Sequence, residues 1–127
     1  MGATRDIALN ELPFRGISIN AEADNVNAII VVPSDSGVIF VNKESGTGTI
    51  TYTLPAVALG AGKWFWFFNA QTTREIAVTA LSACIISATS TYTTLTTSTN
   101  AIGDSGFIVG DGTYWYFFNI VGTWAGS

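Results

Sequence analysis

The chain has no histidine and a single cysteine, and charged residues fill only 11 % of its 127 positions. Each shortage closes a class of function. Without an imidazole there is no ordinary general base to take a proton from a serine. Zinc would find at most Cys84 and scattered carboxylates. Cys84 has no partner for an intramolecular disulfide, and within Ala83-Cys84-Ile85-Ile86 it reads as a small buried hydrophobe. The five basic residues, Arg5, Arg15, Lys43, Lys63 and Arg74, do not cluster, and the net charge is −4. Phosphate neutralisation needs a basic stripe, so no nucleic-acid partner is expected. Apolar runs such as Trp64 to Phe68 fall far short of the roughly 20 residues that cross a membrane as a helix. The N-terminus leads into no apolar signal core. The expectation is a soluble product made in the cytoplasm, with no membrane partner and no cofactor.

What is present is apolar: 48 % of residues are hydrophobic and 13 % aromatic. A chain of this size holds one domain and a modest core. With less than half the usual share of charge, about 25 % in ordinary soluble domains, it has more apolar surface than a small monomer readily hides. Self-association is the expected outlet.

Residues 1–28 carry six of the fourteen charged residues and no sustained periodicity, which reads as an N-terminal arm, with 29–127 as the β-domain. From Ala28 onward, short runs of Ile, Val, Thr and aromatics alternate with Gly, Asn, Ser and Pro, the pattern of strands joined by turns. Strands are predicted at 28–32, 38–42, 49–54, 63–69, 75–81, 85–88, 107–109 and 114–120, with a stub near Trp124. No helical period stands out, and Ala56 to Leu59 is too short to be an independent helix. The hydroxyl-rich tract 87–99 reads as an exposed strand or loop. The fold class is therefore all-β, expected as an antiparallel sandwich or jelly-roll-like barrel with an extended N-terminal arm.

The most specific pattern is an internal echo. Gly60-Ala-Gly62-Lys-Trp-Phe-Trp-Phe-Phe-Asn69 recurs fifty positions later as Gly110-Asp-Gly112-Thr-Tyr-Trp-Tyr-Phe-Phe-Asn119. Gly37-Val-Ile-Phe-Val-Asn42 is a weaker third copy: a glycine turn, an apolar strand, then an Asn that can start the next turn. Two strong copies fit pseudo-symmetric strands of a sandwich better than a solenoid. Alternation places Trp64, Trp66 and Phe68 on one side of a strand and Phe65 and Phe67 on the other. One side is core. The other meets a neighbouring subunit or lies under a covering arm or loop. The expected oligomer interface is drawn from Trp64, Phe65, Trp66, Phe67, Tyr114, Trp115 and Tyr116.

Two motifs invite chemistry and do not sustain it. Gly103-Asp-Ser-Gly106 resembles the surroundings of the trypsin-like nucleophile, but no histidine exists to activate Ser105, so a turn feeding the strand at Phe107 is expected. Gly60-Ala-Gly62-Lys63 has Val57 where a phosphate loop needs glycine and Trp64 where it needs Ser or Thr. Asp104 and Asp111 stand alone and are expected at exposed turns rather than around a metal. No catalytic, cofactor or metal site is expected, and the chain is not read as an enzyme.

Gly37–Asn42, Ile50-Thr-Tyr-Thr-Leu-Pro55, the aromatic strand ending Phe68-Asn69-Ala70, Ile76-Ala-Val-Thr-Ala80, and Ile102-Gly-Asp-Ser-Gly106 through Asp111-Gly112-Thr113-Tyr114-Trp115 together resemble small β-rich bacteriophage virion proteins. These include head decoration (cement) proteins and related tail-fibre modules. The resemblance covers about two thirds of the chain. It implies a virion location, a homotrimer, and attachment to the major capsid protein of the assembled head. A chain that begins at Met1 and is short favours decoration over a fibre module. The alternative is a tail or fibre adhesion protein recognising a host surface glycan. Within the arm, Arg5, Ile7, Leu9, Leu12, Phe14, Arg15 and Ile17 are the expected capsid contacts, apolar anchors on a segment poor in core pattern.

Overall fold

The computed structural model describes residues 13–20, 27–99 and 101–127. Its regular structure is β: β1 Gly16–Asn20, β2 Ala28–Ile30, β3 Val38–Asn42, β4 Ile50–Thr53, β5 Trp64–Asn69, β6 Ile76–Thr79, β7 Ile85–Ser87, β8 Ser90–Tyr92, β9 Thr94–Thr97, β10 Ser105–Gly110, β11 Trp115–Val121 and β12 Trp124–Gly126. Short 3-10 turns cover Pro33–Asp35 and Val57–Leu59.

The strands form two sheets. Sheet A runs β1-β3-β5-β10-β11-β7-β8 and sheet B runs β12-β9-β6-β4-β2. β1, β3 and β5 pair in parallel, and so do β2, β4 and β6. The chain passes from sheet A to sheet B and back, so β1–β2, β3–β4 and β5–β6 are three stacked coils of a β-solenoid. The expected all-β class is observed, but the sandwich or jelly-roll-like barrel preferred over a solenoid is not, because the first three strands of each sheet in chain order stack in parallel. Antiparallel pairing, expected throughout, is confined to the C-terminal half, where β10 joins β5 and β11, and β9 joins β6 and β12. The weak echo Gly37–Asn42 is the coil repeat, stacked directly on Trp64–Asn69. The strong echo relates β5 to β11, which lie one strand apart with β10 between them.

Sequence dictates the inside of each coil. Phe40, Phe65 and Phe67 from sheet A meet Ile50, Tyr52, Ile76 and Val78 from sheet B, all buried. Phe67 stacks on Phe40 at 5.7 Å and packs against Tyr52 at 5.0 Å between ring centroids. Such offset and tilted pairs suit the aromatic quadrupole. Trp115 closes the next layer against Phe65. Its ring lies so close to Gly60 and Gly110 that a Cβ on either would collide with it. The paired glycine turns of the echo therefore make room for one indole.

Polar groups hold the coil corners. Asn42 Nδ2 donates to Asn69 Oδ1 (3.1 Å), and Asn20 Nδ2 donates to Asn42 Oδ1 (3.2 Å), forming a buried ladder across the three coils. Asn42 Oδ1 also accepts from the Glu44 amide, and Asn69 Oδ1 from that of Gln71. Asn42 and Asn69 thus each start the turn that follows, as their place in the repeat predicts. Beside the ladder, Arg74 is buried with Glu44, its Nη1 3.6 Å from Oε1. The guanidinium also donates to Gly48 O, Thr47 O and Asn27 Oδ1, tying together the loops of three coils.

The arm expected over residues 1–28 needs correction where it is described. Residues 16–20 are strand β1, in register with β3 from Gly16↔Val38 to Asn20↔Asn42, and Ala28 opens β2. The first coil therefore begins well before residue 29. Arg15 is fixed to the second coil: its amide donates to Gly37 O and its guanidinium to Ser34 O. Arg5, Ile7, Leu9 and Leu12 lie outside the described residues.

Candidate assembly surface

Strict alternation along sheet A turns one set of side chains inward and the other outward. Cross-strand register then assembles the outward set into rows. One row is Ile17, Ile39, Trp66, Phe107 and Phe118, on β1, β3, β5, β10 and β11. A second is Trp64, Val109, Tyr116 and Ile86. A third begins Ile19, Val41 and Phe68, with Ile120 beside its far end. Among the described residues these rows carry no Asp, Glu, Lys or Arg.

This face is exposed. Ile17 keeps 59 % of its surface open, Ile19 53 %, Phe118 52 % and Ile120 47 %. Aromatic contacts stiffen its centre: Phe107 packs against Trp64 (5.4 Å), Trp66 (5.7 Å) and Phe118 (5.9 Å). Trp66, Phe107, Phe118 and Ile120 line a shallow, wholly apolar recess of about 300 Å³. The outer face of sheet B is different in kind. Register places Ala28, Thr51, Ala77, Thr96 and Ala125 in one row and Ile30, Thr53, Thr79 and Thr94 in the next, a surface rich in hydroxyls.

Of the residues expected at an oligomer interface, Trp64, Trp66 and Tyr116 stand on the outward rows, and Tyr114 is exposed at the turn entering β11. Phe65, Phe67 and Trp115 do not join them. All three are fully buried in the core, because odd positions of β5 and β11 point between the sheets. Phe14 and Ile17, expected on a capsid-binding arm, are exposed, Ile17 as part of β1. Sequence reasoning missed Ile17, Ile19, Ile39, Phe107, Phe118 and Ile120 as members of one surface. The signal for β1 was the alternation in Gly16-Ile-Ser-Ile-Asn20, with its polar residues matching the interior of the repeat.

The rejected motifs have structural roles. Ser105 is buried, and its carbonyl accepts a hydrogen bond from Trp124 Nε1. Asp104, expected at an exposed turn, is buried instead, its carboxylate so close to Gly122 that a Cβ there would collide with it. Asp111 does sit at an exposed turn, accepting from the amides of Thr113 and Tyr114 and from the Tyr116 hydroxyl. Those bonds, the Tyr116 hydroxyl first, hold its carboxyl below the usual carboxylate range. Among the described residues no three His, Cys, Asp or Glu side chains converge on a point that could hold a metal ion. No helix among them is long and apolar enough to cross a membrane. No protein-family model, curated protein or solved structure matches this chain.

Proposed function

We propose that this protein is a non-enzymatic structural component of a bacteriophage virion, a head decoration protein that binds the assembled shell and stabilises contacts between major capsid proteins. One observation carries the reading: the outer face of sheet A is a surface of apolar rows, with charge only at its borders, built on a rigid solenoid. Such a face is unfavourable in water and is stabilised when another protein covers it. A ligand that binds only the assembled state shifts the equilibrium away from disassembly. The buried position of Ser105 in a chain without histidine supports a non-catalytic role.

The exposed aromatics favour a second reading, a tail or fibre adhesion protein whose rings stack on host glycans. The two separate on copy number and position. Labelled protein imaged on purified particles should decorate the head at hundreds of copies; a few copies at the tail, with binding on a glycan array, would favour adhesion. Absence from particles would defeat both.

A further inference from the structure

We infer that the outer face of sheet A is closed by the same face of a second copy of this chain, in a twofold pair. The inference rests on reading that face as the assembly surface and names its occupant, so that the shell is met by surfaces the pair leaves outside.

Area is the first argument. Five strands, β1 to β11 in sheet order, each occupying about 4.8 Å, give a width of about 24 Å, and three outward rows give a length of roughly 20 Å. The footprint is on the order of 500 Å², near the top of what a monomer leaves open. Two such faces together bury on the order of 1,000 Å², the lower bound for a biological interface and the size of a reversible one.

Charge is the second argument. The rows themselves hold no ionic side chain, and the charges that border them are only Arg15 beside Gly37 and Asp111 at the Tyr116 hydroxyl, so a highly charged partner would lose hydration with little counter-charge to gain. An isologous pair supplies a matching, mostly apolar face automatically.

Shape selects the symmetry. In the central row, Trp66 on β5 is the middle member, with Ile39 and Ile17 on one side and Phe107 and Phe118 on the other. The most exposed side chains of the face, Ile17 and Ile19, stand on β1, while the recess lies between Trp66, Phe107, Phe118 and Ile120. A half-turn about an axis along β5 exchanges β1 with β11. It sets Ile17 and Ile19 of each copy over the recess of the other, Ile19 near Ile120. Aligned sheet packing tolerates this with the usual offset of about 30°. A flat face meets one other flat face, so the pair replaces the trimer expected from sequence.

Sedimentation equilibrium of the full chain at micromolar concentration tests it. The expected mass is twice 13.4 kDa. Ile17→Asp and Phe118→Asp should each weaken pairing at least tenfold with unchanged far-ultraviolet circular dichroism, and Thr51→Asp on the opposite sheet should not. In a Cys84→Ala background, Ile19→Cys with Ile120→Cys should form an intermolecular disulfide, and Ile19→Cys with Thr53→Cys should not. A monomer, a trimer or larger species, or a pair insensitive to the Asp substitutions would overturn the inference. Particle attachment is measured separately, so a monomer that still decorates heads would sink the pairing and leave the proposed function standing.

Discussion

Asn42 and Asn69 are 27 positions apart, yet the amide of one donates to the carbonyl oxygen of the other at 3.1 Å, and neither exposes any surface. A parallel stack puts identical positions of successive coils one strand spacing apart, and asparagine carries both the donor and the acceptor that such a stack needs. Replacing Asn42 by Ala removes the bonds to Asn20, Asn69 and the Glu44 amide together. Losing three buried hydrogen bonds at about 0.5–1.5 kcal/mol each should cost about 2–4 kcal/mol in urea unfolding. Asn119→Ala, at the equivalent place in the echo but exposed, should cost about 0.5 kcal/mol or less.

Arg74 makes the same corner rigid through a different chemistry. Its planar fork reaches two backbone carbonyls, Asn27 and Glu44 at once, a geometry that an ammonium cannot reproduce. Arg74→Met should destabilise the fold by about 3–5 kcal/mol, because it removes the guanidinium from a buried ion pair and its three hydrogen bonds with it. Arg74→Lys should recover less than half of that loss. Thermal unfolding of the two variants side by side checks both expectations.

Tyr52 presents the opposite case, a buried hydroxyl with no hydrogen-bond partner among the described residues. Removing an unpaired polar atom relieves a desolvation cost, so Tyr52→Phe should leave stability unchanged or raise it by about 1 kcal/mol. Burial also pushes the phenol well above its ordinary value. A raised folded pKa means the neutral form is favoured in the fold. Its contribution is complete below the ordinary tyrosine value of 10.0 and declines as pH rises beyond it. Tyr52→Phe should therefore resist alkaline unfolding better than the parent chain.

Asp111 acts at the acid end. With its carboxyl lowered by the Tyr116 hydroxyl and the amides of Tyr114 and Thr113, its contribution is present above the ordinary carboxylate range and is lost as pH falls through the lowered folded value. Hydrogen exchange at the β10–β11 turn should accelerate, relative to the intrinsic rate, over that window in the parent chain. In Asp111→Asn the acceleration should be absent.

Much of the fold was legible because aromatic strands alternate. The inward and outward sets of β5 follow directly from Trp64-Phe-Trp-Phe-Phe-Asn69. What misled was the rule that apolar means inside. In Gly16-Ile-Ser-Ile-Asn20 the isoleucines face outward while Asn20 enters the ladder, so a strand that looks like an irregular arm is the first rung of the solenoid. The coil repeat was masked for a related reason. Its ladder spacings are 22 and 27 residues, unequal because the loops differ, and the fifty-residue echo shares more aromatics while linking strands that are not paired with each other. The assembly surface draws on five and more strands far apart in the chain, and only register reveals it.

Hydroxyl-radical footprinting of the full chain, free at high dilution and bound to purified particles, tests the central claim that this face is the one buried on assembly. The account predicts that Trp66, Phe107 and Phe118 become protected at least several-fold, while Leu81 and Ile102, exposed and away from the outward rows, stay equally reactive. Equal oxidation of Trp66, Phe107 and Phe118 in the two states would contradict it.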